Sequence, residues 1–88
     1  MDEPQNPPMG RLDAFDVGAK KLTVQTEFFG RPNWRIETKI YLGGTVKKVY
    51  TADLDGTPEA ELQKRVNDFH QAKIEELMEG LRAKKQEG

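Results

Sequence analysis

The segment that decides the fold is PEAELQKRVNDFHQAKIEELMEGLRA, residues 58–83. Its apolar residues recur at close to 3.6-residue spacing, which predicts an amphipathic helix with one buried face. Thr57 suits the N-cap and Pro58 the first helical position. The buried face would consist of Leu62, Val66, Phe69, Ile74, Leu77, Met78 and Leu81. The sequence therefore predicts a long C-terminal helix that packs on another layer.

The end of this helix has two interpretations because of Gly80. Glycine destabilises a helix interior by about 1 kcal/mol relative to alanine, so Gly80 could be the C-terminal cap. Leu81 stays in phase with Ile74 and Leu77, which favours continuation. We therefore expect the helix to reach about Ala83 and residues 85–88 to fray.

The segment before the helix alternates between apolar and polar residues, as half-buried strands do. Residues 20–29, 34–42 and 45–51 form three such runs, separated by a Gly-Arg-Pro-Asn break and by Gly43-Gly44. Tight turns at those breaks make neighbouring strands antiparallel. The predicted fold is therefore α+β, a three-stranded antiparallel β-meander packed against one long C-terminal α-helix (β-β-β-α), in a single domain of residues 20–84.

The register of the second hairpin depends on the length of its loop, since a slip of one residue turns every side chain over. A two-residue loop of Gly43-Gly44 would pair Leu42 with Thr45 and Tyr41 with Val46. A three-residue loop would pair Ile40 with Val46 and would direct Val46 and Tyr50 towards the helix. We favour the three-residue loop with a glycine bulge.

Residues 1–19 contain three prolines and no sustained periodicity. Such a composition buries too little apolar surface to offset the entropy of ordering. We expect a disordered or loosely docked N-terminal tail. The spacing of Leu12, Phe15 and Val17 leaves open a short docked appendage.

Composition limits the classes of function. The chain has 88 residues and no cysteine, which excludes disulfides and zinc–thiolate sites. It has neither an apolar leader nor a membrane-spanning run, so we expect a cytoplasmic protein. A domain of this size is marginally stable alone, and self-association is one remaining way to add stability.

The sequence contains no recognisable catalytic, metal-binding or cofactor motif. The Asp53–Gly56 turn fails as a calcium loop, because Leu62 occupies the position of the bidentate glutamate. His70 is the only histidine and has no evident partner along the chain, so we interpret it as packed at the rim of the helix's apolar face. Glu27 and Glu37 fall on the outward face of the sheet. We therefore expect a non-enzymatic protein without cofactors.

Two functional hypotheses remain, and the first is an interaction module that self-associates. A helix over residues 58–83 spans about 39 Å at about 1.5 Å per residue, whereas a strand of eight or nine residues covers about 28 Å. Leu77, Met78 and Leu81 would then overhang the sheet. An exposed apolar end of this kind marks a partner surface, and a second copy of the chain is its simplest partner.

The second hypothesis is binding of an anionic partner by the sheet. Residues 20–51 carry seven basic residues against two acidic ones, whereas the flanking segments are acidic. Arg35, Lys39, Tyr41 and Lys47 would share the face opposite the helix. Basic residues among aromatics on a sheet are typical of proteins that bind single-stranded nucleic acid. Lysine on a small sheet is also an ordinary solvated residue that protects strand edges, so nucleic acid is the less favoured partner.

Overall fold

The computed structural model describes residues 4–87, with side chains described for residues 4–82. Four strands form one antiparallel sheet in the order β1-β2-β3-β4, and a helix follows them. The strands are β1 (Arg11–Val17), β2 (Lys20–Phe29), β3 (Arg35–Leu42) and β4 (Thr45–Asp53). A 3₁₀ turn over Glu59–Glu61 leads into α1 (Leu62–Glu87). The α+β class and the sheet-then-helix order are confirmed.

The predicted number of three strands is wrong, because Arg11–Val17 form a fourth strand, β1, paired with β2. Asp13, Phe15 and Val17 are the side chains that alternate towards the helix. An acidic residue at the first of these positions hid the two-residue period from the sequence. The segment before β1 is also bonded to the domain, as the Met9 amide donates to Oε1 of Gln63 at 2.8 Å.

The structure of the second hairpin contradicts the register that we favoured from the sequence. Gly43 and Gly44 both have positive φ, 61° and 85°, as a tight two-residue turn requires. Leu42 therefore pairs with Thr45, and the favoured three-residue loop is wrong. A bulge then shifts the register so that Ile40 pairs with Lys48. Tyr50 consequently faces the helix as expected, whereas Val46 faces outward.

The helix begins later and ends later than predicted. Pro58 has extended ψ (139°) and no side chain caps the turn that follows, so Thr57 is not the N-cap. α1 then continues through Gly80 to Glu87, beyond the predicted end at Ala83. Residues 85–87 of the segment predicted to fray therefore belong to the helix, and residue 88 lies outside the described residues.

The interior between α1 and the sheet contains two apolar clusters. The proximal cluster, near the start of α1, has buried Ile36, Leu54, Leu62 and Val66, flanked by Phe28, Trp34 and Phe69. The distal cluster has buried Leu22, Val24, Ile40 and Ile74, flanked by residues that include Phe15, Tyr50, Leu77, Met78 and Leu81. Three buried polar residues, Thr26, Thr38 and His70, lie between them along the strands and the helix.

The helix covers only part of the sheet. Its backbone approaches β1, β2 and β3, but over the described residues no Cα atom of α1 comes within 8 Å of one in β4. The helix-facing side of β4 is therefore open, as is the whole opposite face of the sheet. These two surfaces are the places where a partner or ligand can reach the domain.

Candidate functional site

The three residues predicted for self-association do not project from the sheet. Leu77, Met78 and Leu81 are all partly buried and pack against the distal cluster. Leu77 and Leu81 line a groove between α1 and β4. Met78 lies on the other flank of the helix, beside Glu75 and Glu79. The structure thus divides these residues between two surfaces, and their role in self-association stays a prediction.

The residues predicted to bind anions are also divided. Arg35, Lys39 and Tyr41 lie on the outer face of the sheet, whereas Lys47 is the extra residue of the β4 bulge. The guanidinium of Arg35 is already engaged, because its Nε donates to Oε2 of Glu37 at 3.1 Å and its Nη1 donates to a backbone carbonyl at 2.6 Å. Lys39 and Tyr41 alone do not make this face strongly basic.

Acidic residues further weaken the basic character of that face. Glu27 pairs directly with Glu37 across β2 and β3, so two carboxylates lie side by side. The amide of Gln25 donates to Glu27 at 2.5 Å. Arg35 lies in the next cross-strand row and offsets only one of these charges. The outer face is therefore closer to neutral than the charge of the strands alone suggests.

The outer face instead collects exposed apolar residues. Leu12, Val46 and Val49 are 66%, 47% and 51% exposed, and only Met9 joins them as a large exposed hydrophobic residue among the described ones. Val46 and Val49 are three residues apart and would normally point to opposite faces. The bulge between them places both on the outer face. Val46 was assigned to the wrong face in the sequence analysis, because the position of the bulge cannot be seen there.

These apolar residues fall into two cross-strand rows. The first row runs from β1 to β4 as Leu12, Gln25, Lys39 and Val49, and the second as Ala14, Thr23, Tyr41 and Val46. In both rows the apolar residues occupy the outer strands and the more polar residues occupy the inner strands. We call this pair of rows the sheet patch.

The groove on the other side of the sheet is a cavity of about 500 Å³. Its apolar lining comes from all four strands, including Val17 of β1, and from the distal half of α1, and its polar lining is mostly lysine. The lining residues include Leu22, Ile40, Leu42, Tyr50, Leu77 and Leu81, with Lys47, Lys48, Lys73 and Glu76. We call it the distal groove. Leu77 and Leu81, predicted for self-association, thus line the same groove as Lys47, predicted for anion binding.

Lys73 closes one end of the distal groove. Its ammonium lies 4.6 Å from the ring centroid of Tyr50 on β4 and 5.0 Å from that of Phe69 on α1. Nζ also donates to Oε2 of Glu76 at 3.0 Å. Cation–π contacts on both sides make Lys73 a bridge between the helix and the uncovered strand. Its charge is largely satisfied by Glu76.

His70 is not at the rim of the helix as predicted, since it is 1% exposed. Its Nε2 lies 2.7 Å from Oδ2 of Asp13, and its Nδ1 lies 2.7 Å from Oγ1 of Thr26. The Thr26 hydroxyl lies 2.8 Å from that of Thr38. An ionised Asp13 can only accept, so Nε2 donates to it, and a neutral ring then accepts at Nδ1 from Thr26.

This acid–histidine–hydroxyl order resembles a nucleophile and its base, but the surroundings do not suit catalysis. Thr26 is fully buried, with an exposed fraction of 0%, and its hydroxyl is held by two partners. A nucleophile must reach an external substrate. Every buried side-chain polar atom of the described residues has a hydrogen-bond partner. We therefore interpret these four residues as a structural network that ties β1 and α1 to the sheet.

The described part of the chain was also compared with the requirements of a metal site and of a membrane span. Among these residues no three His, Asp or Glu side chains gather as metal ligands. None of the described helical segments is long and apolar enough to cross a membrane.

The comparisons with known proteins give no relative from which a function could be transferred. No protein-family model, curated protein or solved structure matches the chain.

Proposed function

We propose that this protein is a small interaction module that self-associates through the sheet patch, so that two copies pack sheet against sheet. The observation that carries the proposal is the gathering of three exposed apolar residues, Leu12, Val46 and Val49, on one face of the sheet. An exposed apolar patch bounded by polar residues is typical of a protein interface. The distal helix residues support self-association less well, since they are already partly buried.

The pattern of the patch fits a second copy of the same chain. A two-fold axis parallel to the strands lays β1 of one copy over β4 of the other and keeps the rows in register. Leu12 then lies over Val49 of the other copy, and Ala14 over Val46. On the inner strands Gln25 of one copy lies over Lys39 of the other, so that the amide oxygen can accept a hydrogen bond from the ammonium group. Such an interface is self-complementary, as isologous contacts must be.

The size of the outer face of the sheet, which contains the patch, indicates a weak dimer. Four strands cover about 19 Å at about 4.8 Å per strand, and seven residues extend about 23 Å. The face therefore measures about 450 Å² per copy, and a pair buries about 900 Å², close to the lower limit of about 1,000 Å² for specific interfaces. We expect dimerisation to depend on concentration.

The acidic row beside the patch predicts how salt affects the dimer. The same two-fold axis places Glu27 of one copy over Glu37 of the other, and these like charges repel. Added salt screens the repulsion between exposed carboxylates, so the dimer should become stronger. Nucleic-acid binding shows the opposite dependence, because salt weakens contacts with phosphates. Salt dependence therefore separates this proposal from the nucleic-acid hypothesis.

The test is sedimentation velocity over a range of protein concentrations, at low and high salt. The natural chain should form dimers at high micromolar concentration, and more so at high salt. Leu12→Glu/Val49→Glu should remain monomeric, because it places two carboxylates opposite each other across the interface on each side. Met9→Glu/Ala72→Glu adds the same charge at exposed positions away from the patch and should behave like the natural chain.

Two results would contradict the proposal. One is a natural chain that is monomeric at millimolar concentration. The other is a dimer that survives Leu12→Glu/Val49→Glu but is lost in Leu77→Glu/Leu81→Glu. That second result would assign self-association to the helix, provided that circular dichroism shows the helix variant to be folded.

A further inference from the structure

We propose that the distal groove is a binding site for a single-chain anionic amphiphile, an alkyl chain that ends in a carboxylate. This site lies on the helix side of the sheet and is independent of the sheet patch. Its volume of about 500 Å³ is within the range of about 300–1,000 Å³ for small-molecule sites. An alkyl chain fits the apolar floor, and the headgroup fits the lysines at the edge.

The groove exists because of how the helix crosses the sheet. α1 runs over β1, β2 and β3 and leaves the inner side of β4 uncovered. Leu22 and Ile40 form the floor, while Leu77 and Leu81 form the helix wall. These four side chains come from three different elements, so the apolar surface is fixed by the fold. Burial of an alkyl chain there releases water from both surfaces, which is favourable.

The charge at the edge of the groove favours an anion. Lys47 and Lys48 are exposed on β4, and neither makes an ion pair with another described residue. Lys73, by contrast, is balanced by Glu76. The groove therefore carries two uncompensated ammonium groups beside an apolar floor. A carboxylate headgroup would satisfy them, whereas a cationic headgroup would be repelled.

Gly80 gives a second and independent reason to interpret the groove as a binding site. Glycine inside a helix is unfavourable by about 1 kcal/mol relative to alanine. No close packing requires it, because a Cβ built at Gly80 meets no atom within 4 Å. Gly80 lines the distal groove, and a larger residue would narrow it. The glycine thus weakens the helix at the point where its absence of a side chain keeps the groove open.

The form of the groove favours a free amphiphile over a longer partner. The bridge that Lys73 makes between Tyr50 and Phe69 closes one end, so the groove is a short slot. A partner helix would need a continuous channel along α1. The aromatic ring of Tyr50 also lies under the ammonium groups of Lys48 and Lys73, at 5.9 and 4.6 Å, and so offers little surface for base stacking.

The test is calorimetric titration with dodecanoate below its micelle concentration, at a protein concentration where sedimentation shows a monomer. Dodecyltrimethylammonium, with the same chain and the opposite charge, is the ligand control. We expect saturable binding of dodecanoate and at least tenfold weaker binding of the cation. Lys47→Gln/Lys48→Gln should weaken dodecanoate binding at least tenfold. Lys21→Gln/Lys64→Gln, which removes two exposed lysines outside the groove and the sheet patch, should leave it unchanged.

Gly80→Leu tests the cavity itself. Leucine favours the helix and meets open space at this position, so the variant should fold at least as stably as the natural chain. We expect it to lose dodecanoate binding. Equal binding of dodecanoate by Gly80→Leu, or equal binding of both headgroups by the natural chain, would overturn the proposal. Binding to phosphatidylglycerol vesicles without binding to soluble dodecanoate would also overturn it, in favour of a membrane surface.

Discussion

The proximal and distal clusters lie under one helix and on the same strands, but they are packed differently. All four core residues of the proximal cluster are at most 1% exposed. In the distal cluster the exposed fraction reaches 9% at Ile74, and the distal groove opens beside the cluster. A cavity of about 520 Å³ also lies beside the proximal cluster, lined by Ile36, Ala52 and Leu54 among others. The two ends of the helix therefore differ in how completely their core residues are buried.

The cause of this difference is the segment between β4 and α1. Leu54 follows β4 and inserts between the sheet and the first turn of the helix. Its amide donates to the carbonyl of Trp34 at 2.9 Å, which fixes the segment on β3. The ring of Trp34 packs edge-on against Phe28, with ring centroids 6.2 Å apart. Among the described residues nothing comparable covers β4 at the distal end. The comparison indicates that the proximal half, whose core residues are more fully buried, contributes more to stability than the distal half.

The largest expected effect comes from truncating one leucine in each half. Leu62→Ala should lower the free energy of unfolding by about 2–5 kcal/mol, because it leaves a cavity in a closed core. Leu81→Ala makes the same chemical change at a partly buried position and should cost less than about 1.5 kcal/mol. Guanidinium denaturation of both variants measures the difference. Equal losses would mean that the two halves are packed alike.

A smaller effect is expected at the polar boundary between the clusters. Thr26→Val keeps the shape of the side chain but removes the hydroxyl that bonds His70 and Thr38. Leaving buried polar groups without a partner costs about 1–3 kcal/mol. Thr23→Val is the matched control on the same strand, since Thr23 points to the outer face. Urea denaturation should show a loss for Thr26→Val only, and an equal change in the control would argue against a structural network.

The smallest effect is a gain in stability in the distal half. Gly80→Ala should raise the free energy of unfolding by about 1 kcal/mol, because alanine favours the helix and meets no neighbour. Gly44→Ala is the contrasting variant, since φ at Gly44 is +85° and an L-residue there costs about 1–2 kcal/mol. Thermal unfolding should shift the two melting temperatures in opposite directions. A loss of stability in Gly80→Ala would mean that the glycine has a packing role.

The parts of the fold that could be predicted from the sequence are those encoded by local patterns. α1 follows from the 3.6-residue spacing of Leu62, Val66 and Ile74, and β2 and β3 follow from alternation. β1 could not be recognised, because Asp13 occupies an inward position for the sake of His70, and that partner is 57 residues away. A polar residue in a core position is explained only by its distant partner.

The candidate sites were less predictable, because they depend on register and coverage. The bulge at Lys47 turns Val46 and Val49 to one face and Lys48 to the other, and a pair of glycines does not reveal it. The predicted overhang of the helix does not expose its apolar residues, because Leu77 and Leu81 still contact the distal cluster. Gly80 was the one feature of the sequence that pointed to the groove, because a glycine inside a helix lowers its stability and so requires an explanation.

The bond between Asp13 and His70 has a consequence for the order in which the domain is completed. During synthesis β1 receives its polar partner only after residue 70 has been made. Until then β1 is an edge strand with an unbalanced carboxylate on the side that will become interior. Contacts so distant in sequence form late, because loop closure must come first. β1 can pair with β2 earlier through their short turn. We therefore expect the Asp13–His70 bond to form last, so that it reports the docking of the helix on β1.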